Sequence, residues 1–215
     1  CGFRDVKVYA SGERGSSARK GAGAFGGSVI ARWPFLPVED EGRLRNRDLR
    51  EHFLTRLFAQ ARLRGESDRG GASRLVRFHA RHKLLLMGHS QAGMRELGRV
   101  VAEAGRGSAA DAWERYALSF VAALSRTPRR GSVVNVLLHA FGYVSERLSP
   151  RERSLFLRTL DEYRAGRIPL SAPLRLMQAW VVRFDVAYLA DQVFFEPYPL
   201  DLLDEADSGK GRDVQ

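Results

Sequence analysis

Arg77-Phe78-His79-Ala80-Arg81-His82-Lys83-Leu84-Leu85-Leu86-Met87-Gly88-His89-Ser90 is the stretch on which the reading of this chain turns. Leu75, Phe78, His82, Leu85 and His89 recur at three- and four-residue intervals, which sets them on one stripe of a helix over 74–89. Arg74, Arg77 and Arg81 repeat the spacing one residue earlier, about 100° round the helix. One face is therefore apolar with two histidines set into it. The adjoining face is a row of guanidinium groups.

The same period continues downstream. Met94, Leu97, Val100 and Val101 predict a helix over 91–104, closed by Gly105. Trp113, Tyr116, Phe120 and Leu124 mark a third over 109–125, and Val134, Leu137, Phe141, Val144 and Leu148 a fourth over about 132–147. Ser149-Pro150-Arg151-Glu152 opens another with a capping-box pattern and ends near Gly166. Pro173 opens a last helix through Trp180, Phe184, Tyr188 and Phe194, stopped by Glu196-Pro197-Tyr198-Pro199. Residues 74–199 thus read as an all-α domain, and 200–215 as an acidic tail expected to be disordered.

Upstream the grammar changes. Val6-Lys7-Val8-Tyr9 reads as a strand, followed by a glycine- and serine-rich loop from Ser11 to Gly27. Ser28 to Trp33 reads as a helix stopped by Pro34, and Phe35-Leu36-Pro37-Val38 as the following strand. Asn46 or Asp48 caps the next helix, through Leu49, Phe53, Leu57 and Phe58. Such alternation belongs to a parallel, Rossmann-like α/β sheet, but two strands are too few to build one, so 1–64 reads as the truncated second half of an α/β domain. The glycine-rich segment 65–73 is read as a linker. The fold class is mainly α, an all-α C-terminal domain preceded by a truncated α/β segment. The chain opens at Cys1 rather than at methionine and is expected to be a fragment or processed product.

No run approaches the roughly 18 apolar residues of a membrane span, so a soluble, cytoplasmic protein without a membrane partner is expected. The net charge of +10 is uneven: residues 74–195 carry 19 Arg and Lys against 10 Asp and Glu, and residues 196–215 carry 2 against 6. A basic middle suits a polyanionic partner, nucleic acid first. Arginine-rich surfaces also arise from genome composition alone, and both readings stay open.

The chemistry-bearing motifs are sparse. The loop Gly21 to Gly27 matches neither a P-loop nor a dinucleotide fingerprint. His82 and His89 stand about 10 Å apart along a helix, too far to share one ion, and no acid or cysteine completes a shell with His79. Hydrogen-bonded core histidines are the better reading. His139, with Asn135 one turn before it, is expected to join His79, His82, His89 and Ser90 in a polar seam. Arg77, Arg81 and Lys83, with Arg95 and Arg99 on the next helix, make either a phosphate-binding surface or a solvated basic face. No Ser-His-Asp or Cys-His constellation stands out, so no catalytic residue is assigned. The lone Cys1 is either a thiolate ligand or an incidental thiol.

Two parts of the chain resemble known families. Residues 74–199 resemble the YbgA-like helical domain of unknown function through Phe78 to Ser90, Arg95-Glu96-Leu97-Gly98, Asn135-Val136-Leu137, Gly142-Tyr143 and Pro197-Tyr198-Pro199. Residues 1–64 resemble the C-terminal half of a thiouracil desulfidase domain. There Cys1-Gly2 matches the end of a Ser-Pro-Ser-Cys-Gly motif, and Gly21 to Phe25, Leu36 to Glu39, Gly42 to Leu44, Arg50 and Phe53 match the family downstream of that motif. Proteins fusing the two resemble tRNA 4-thiouridine desulfidases. The resemblance implies a [4Fe-4S] cluster held by three cysteines, whose open iron accepts the sulfur. Cys1 would be one ligand, and the basic helical domain would hold tRNA. The other ligands are absent, so this chain alone is expected to hold no cluster and to be inactive, catalysis belonging to its full-length parent. The alternative is a helical module that contacts a protein partner or caps a small-molecule thiouracil desulfidase. Oligomeric state is not legible.

Overall fold

The computed structural model describes residues 6–8, 19–21, 24–33, 36–39 and 42–202. The chain divides into two compact units, Cys1–Ala61 with Tyr198–Gln215, and Arg62–Pro197. The division falls inside one long helix.

In the first unit β1 (Val6–Val8) pairs antiparallel with β2 (Arg19–Gly21), Val6 opposite Gly21. Helix α1 (Ala24–Arg32) follows and ends just before Pro34, as its proline-stopped pattern predicts. The predicted second strand is not formed: Leu36 to Glu39 pair with nothing in a ladder. Pro37, buried beside Val38, has no N–H to give in the middle of that run. Among the described residues the two-stranded antiparallel ribbon is thus the whole sheet, and a parallel, Rossmann-like segment is not seen. Asn46 caps α2 (Arg47–Ser67), its Oδ1 accepting from the Leu49 N–H at 3.1 Å.

The connection between helices is shorter than the composition of 65–73 suggests. Helix α2 runs to Ser67, and α3 (Ala72–His89) starts soon after it. Gly70 and Gly71 make the turn at φ of 64° and 88°, a region closed to most side chains. Glu66 clips it by accepting from Arg69 at 3.1 Å and Arg74 at 3.5 Å.

Within the second unit α3 is central and packs against α4 (Gln91–Glu103), α5 (Ala109–Ala123) and α6 (Arg130–Phe141). The predicted aromatic stripe forms the core: Phe78 meets Trp113, Tyr116 and Phe120 edge-on, with ring centroids 5.3 to 5.9 Å apart. A second cluster joins Phe141 of α6, Phe156 of α7 (Pro150–Arg164) and Trp180 of α8 (Ser171–Arg183). The Ser149–Glu152 capping box is present in both directions, at 2.7 and 3.3 Å. Gly93 lets α4 and α5 touch, since a Cβ there would lie 2.8 Å from that of Ala123.

The predicted last helix is two. Helix α8 stops at Arg183, and α9 is the short turn Ala187–Ala190. A Schellman close separates them: the Asp185 N–H bonds Val182 O at 3.3 Å and the Val186 N–H bonds Val181 O at 3.1 Å. Asp185 occupies the left-handed position, φ 49°, that glycine usually fills. Arg147 Nη1–H donates to the Phe184 carbonyl at 2.8 Å, and the guanidinium groups of Arg147 and Arg183 lie over the Phe184 ring. No glycine marks this stop, so helical spacing alone runs straight through it.

Beyond α9 the chain crosses α3 and engages its main chain. The Gln192 carboxamide accepts from the Leu84 N–H at 3.1 Å and donates to the Ala80 carbonyl at 2.9 Å. Those two groups are one another's partners in a regular α-helix, so the carboxamide brackets a single turn. The Val193 N–H then donates to the Arg81 carbonyl at 3.0 Å. Covered from this side too, α3 buries Leu84, Leu86 and Gly88 as well as Leu75, Phe78, His82 and Leu85 of its predicted stripe, while His89 is half-buried. Gln192→Leu removes both bonds of the bracket and sets an apolar group against buried main chain. Gln192→Glu leaves the Ala80 carbonyl without its side-chain donor. Each is expected to lower stability by about 2–4 kcal/mol in urea denaturation, against less than about 0.5 kcal/mol for a surface change such as Arg99→Ala.

Candidate nucleic-acid interface

His82 sits inside the turn bracketed by Gln192. It is 1% exposed, stacks on Phe78 at 3.9 Å and meets the edge of Phe120 at 5.5 Å. Its Nδ1–H donates to the Phe78 carbonyl at 2.7 Å, which fixes the tautomer and leaves Nε2 as a buried acceptor without a hydrogen-bond partner. Desolvation lowers its pKa to about 3; the Phe78 carbonyl opposes this, while Arg62, Arg81 and His79 add to it. The ring is therefore neutral.

His79 lies one turn back and is half-buried. Its Nδ1 is 3.0 Å from the hydroxyl of Tyr116, a fully buried residue. The imidazole Nε2 lies toward Gly98 of α4. Desolvation first, and the Lys83 charge second, lower its pKa. His89 repeats the His82 arrangement, donating from Nδ1 to the Leu85 carbonyl at 2.9 Å. Ser90 caps α4 by accepting from the Gly93 N–H at 3.0 Å. Asn135 and His139 stand apart from these four, on an exposed part of α6, where His139 meets Tyr143 edge-on at 5.8 Å. Helix α6 buries Val133, Val134, Val136, Leu137, Ala140 and Phe141 on one side, and Asn135, Leu138 and His139 face the other.

The five basic residues are all exposed. Arg81 is ion-paired through Nε to Asp191 Oδ1 at 2.8 Å. Among the described residues Arg77, Lys83, Arg95 and Arg99 form no ion pair. They do not make one ridge. Lys83 lies two residues beyond Arg81, about 160° away round α3, on the flank of His79 and of α4, which carries Arg95 and Arg99. Arg77 and Arg81 look the other way.

Two residues at this site have no sequence signal. Gln192 is a lone polar residue without a pattern. Arg62, near the end of α2, donates from Nη2 to the Pro197 carbonyl at 2.7 Å and keeps its Nε–H buried without a partner. Burial, and then Arg81, push its pKa down to about 10. Cys1 lies outside the described residues, as do the tail beyond 202 and most of the loop before Gly27. Among the described residues no group of three or more His, Cys, Asp or Glu is placed to hold a metal ion. None of their helices is long and apolar enough to cross a membrane.

A helical domain with hydrogen-bonded histidines set into one helix, beside an exposed cationic helix pair, is the class these features define. The chain belongs to the family described as "Protein of unknown function (DUF1722)", which matches residues 83–199. It is also 33% identical over 150 residues to the Escherichia coli (strain K12) "Uncharacterized protein YbgA", covering 68% of this chain and 88% of that protein. No solved structure matches.

The buried histidine sets a pH dependence. Between about pH 6.5 and about pH 3 the unfolded chain binds a proton at His82 that the folded chain refuses. Its contribution is fully present above about pH 6.5 and is lost as pH falls, by about 1.4 kcal/mol per unit; His79 acts in the same direction. Urea midpoints measured from about pH 7 down to about pH 4 should fall steeply for the wild type and less steeply, by about one proton, for His82→Leu.

Proposed function

We propose that the helical unit is an RNA-binding domain and that the chain is the C-terminal part of an iron–sulfur tRNA 4-thiouridine desulfidase. The observation that carries the RNA reading is helix α3: eighteen residues with four cations and no carboxylate, Arg77, Arg81 and Lys83 being exposed. With α4 it offers Arg77, Lys83, Arg95 and Arg99 free of internal ion pairs among the described residues, which suits phosphate contacts that position a nucleic acid without reading its sequence.

The desulfidase part rests on the resemblance of residues 1–64, with Cys1 as one cluster ligand. A three-thiolate [4Fe-4S] site needs two cysteines more than this sequence has, so the residues present do not fit the cluster by themselves. Sulfur removal is accordingly assigned to the full-length parent.

Binding of the chain to tRNA, measured at about 50 and about 200 mM salt, tests the reading. Affinity should fall steeply with salt. The variant Lys83→Ala/Arg95→Ala/Arg99→Ala should lower the log–log slope by about 0.7–0.9 for each phosphate no longer neutralised. Arg77→Ala/Arg81→Ala should do less, because Asp191 already neutralises Arg81. Absence of binding at the lower salt would sink the RNA role and favour a module that meets a protein or caps a thiouracil desulfidase.

A further inference from the structure

The second unit carries a surface strip that the basic helix pair does not include. Residues 143–147 and 184–188 run past each other in opposite directions, with two contacts that fix the register. Tyr143 stacks on Tyr188 with centroids 5.2 Å apart and planes 26° from parallel. One turn along, the Arg147 guanidinium lies 5.2 Å over the Phe184 ring and donates to the Phe184 carbonyl. His139 extends the row on one side, edge-on to Tyr143, with Asn135 a turn before it. Arg183 extends it on the other, 5.0 Å over Phe184.

These side chains are not core. Tyr143 is 46% exposed, and Asn135, His139, Arg147 and Arg183 are exposed with it. The charge on the strip is mixed. Glu152 holds Arg183 at 3.1 Å, and Glu146 and Asp185 are exposed close by in the chain. Arg147 forms no ion pair among the described residues. An exposed tyrosine backed by the half-buried rings of Tyr188 and Phe184, with arginine beside it, is a composition that receives an unpaired nucleotide, the base finding a ring face and the phosphate a cation.

We propose that this strip holds an unpaired nucleotide of the bound RNA, its base stacked on Tyr143 and its phosphate at Arg147. The inference rests on the RNA-binding reading and adds to it a site for single-stranded RNA, separate from the cations of α3 and α4.

The test compares two probes of equal charge: an oligouridine of about eight nucleotides and an abasic strand of the same length. Binding to each is measured by fluorescence anisotropy at low salt, beside tRNA, for the wild type, Tyr143→Ala and Tyr143→Phe. The wild type should prefer the oligouridine by about tenfold, the effect of stacking one base on an aromatic ring. Tyr143→Ala should reduce that preference to within about twofold, while Tyr143→Phe, which keeps the ring face, should retain it. Matching circular dichroism and thermal melting of the three proteins exclude a folding defect. Salt-dependent binding of both strands with no preference in the wild type, or a preference that survives in Tyr143→Ala, overturns the strip and leaves RNA binding standing. Failure to bind tRNA and both strands removes the RNA reading itself, and the strip with it.

Discussion

One side-chain amide holds the helical unit in its particular shape. Hydrophobic burial brings the helices together but is indifferent to small slides and rotations. The Gln192 carboxamide is not indifferent. It supplies one acceptor and one donor to two main-chain groups a turn apart, so the terminal segment settles on α3 in one register. The amide is itself buried, and leaving either of its bonds unmade costs more than making it gains. The turn it brackets contains Arg81, His82 and Lys83, so the residues that distinguish this chain are placed by a contact none of their side chains makes.

Around that turn, burial sorts the polar residues by what each can tolerate. Imidazole can be neutral near physiological pH, so His82 and His89 sit low on α3 and spend Nδ1–H on carbonyls of their own helix. Guanidinium and ammonium groups cannot give up their charge so cheaply, and they stay outside. Arg62 is the exception, partly buried beside another cation with a carbonyl as its acceptor. The outcome is a neutral His82 beneath a charged surface, with no acid on α3 itself.

Much of the helical unit is legible in the sequence because its signals are local. The three-and-four spacing from Leu75 to His89 locates α3, and Ser149-Pro150-Arg151-Glu152 announces the start of α7 to the residue. Signals that depend on distant partners are not legible. The break at Asp185 is stabilised by Arg147, far back in the chain, and uses aspartate where glycine is the ordinary marker. Phe35 to Val38 has strand-like composition, yet Pro37 interrupts any ladder across it. The outward placing of Asn135 and His139, by contrast, is legible, since helical spacing sets them opposite Val133, Leu137 and Ala140 on α6. Adjacency groups Lys83 with Arg77 and Arg81, whereas helical geometry puts it on another flank.

The separation between Gln192 and its partners has a consequence for how the chain is made. Leu84 and Gln192 are 108 residues apart, so their bond closes a long loop within the unit. Helices α3 to α5 can pair through near neighbours as soon as they leave the ribosome, and loop closure over such a distance comes afterwards. Until residue 192 is synthesised, the Ala80 carbonyl and the Leu84 N–H have each other and water as partners. The nascent helix is then an ordinary one, and the amide bracket around Arg81, His82 and Lys83 forms only after residue 192 has been made.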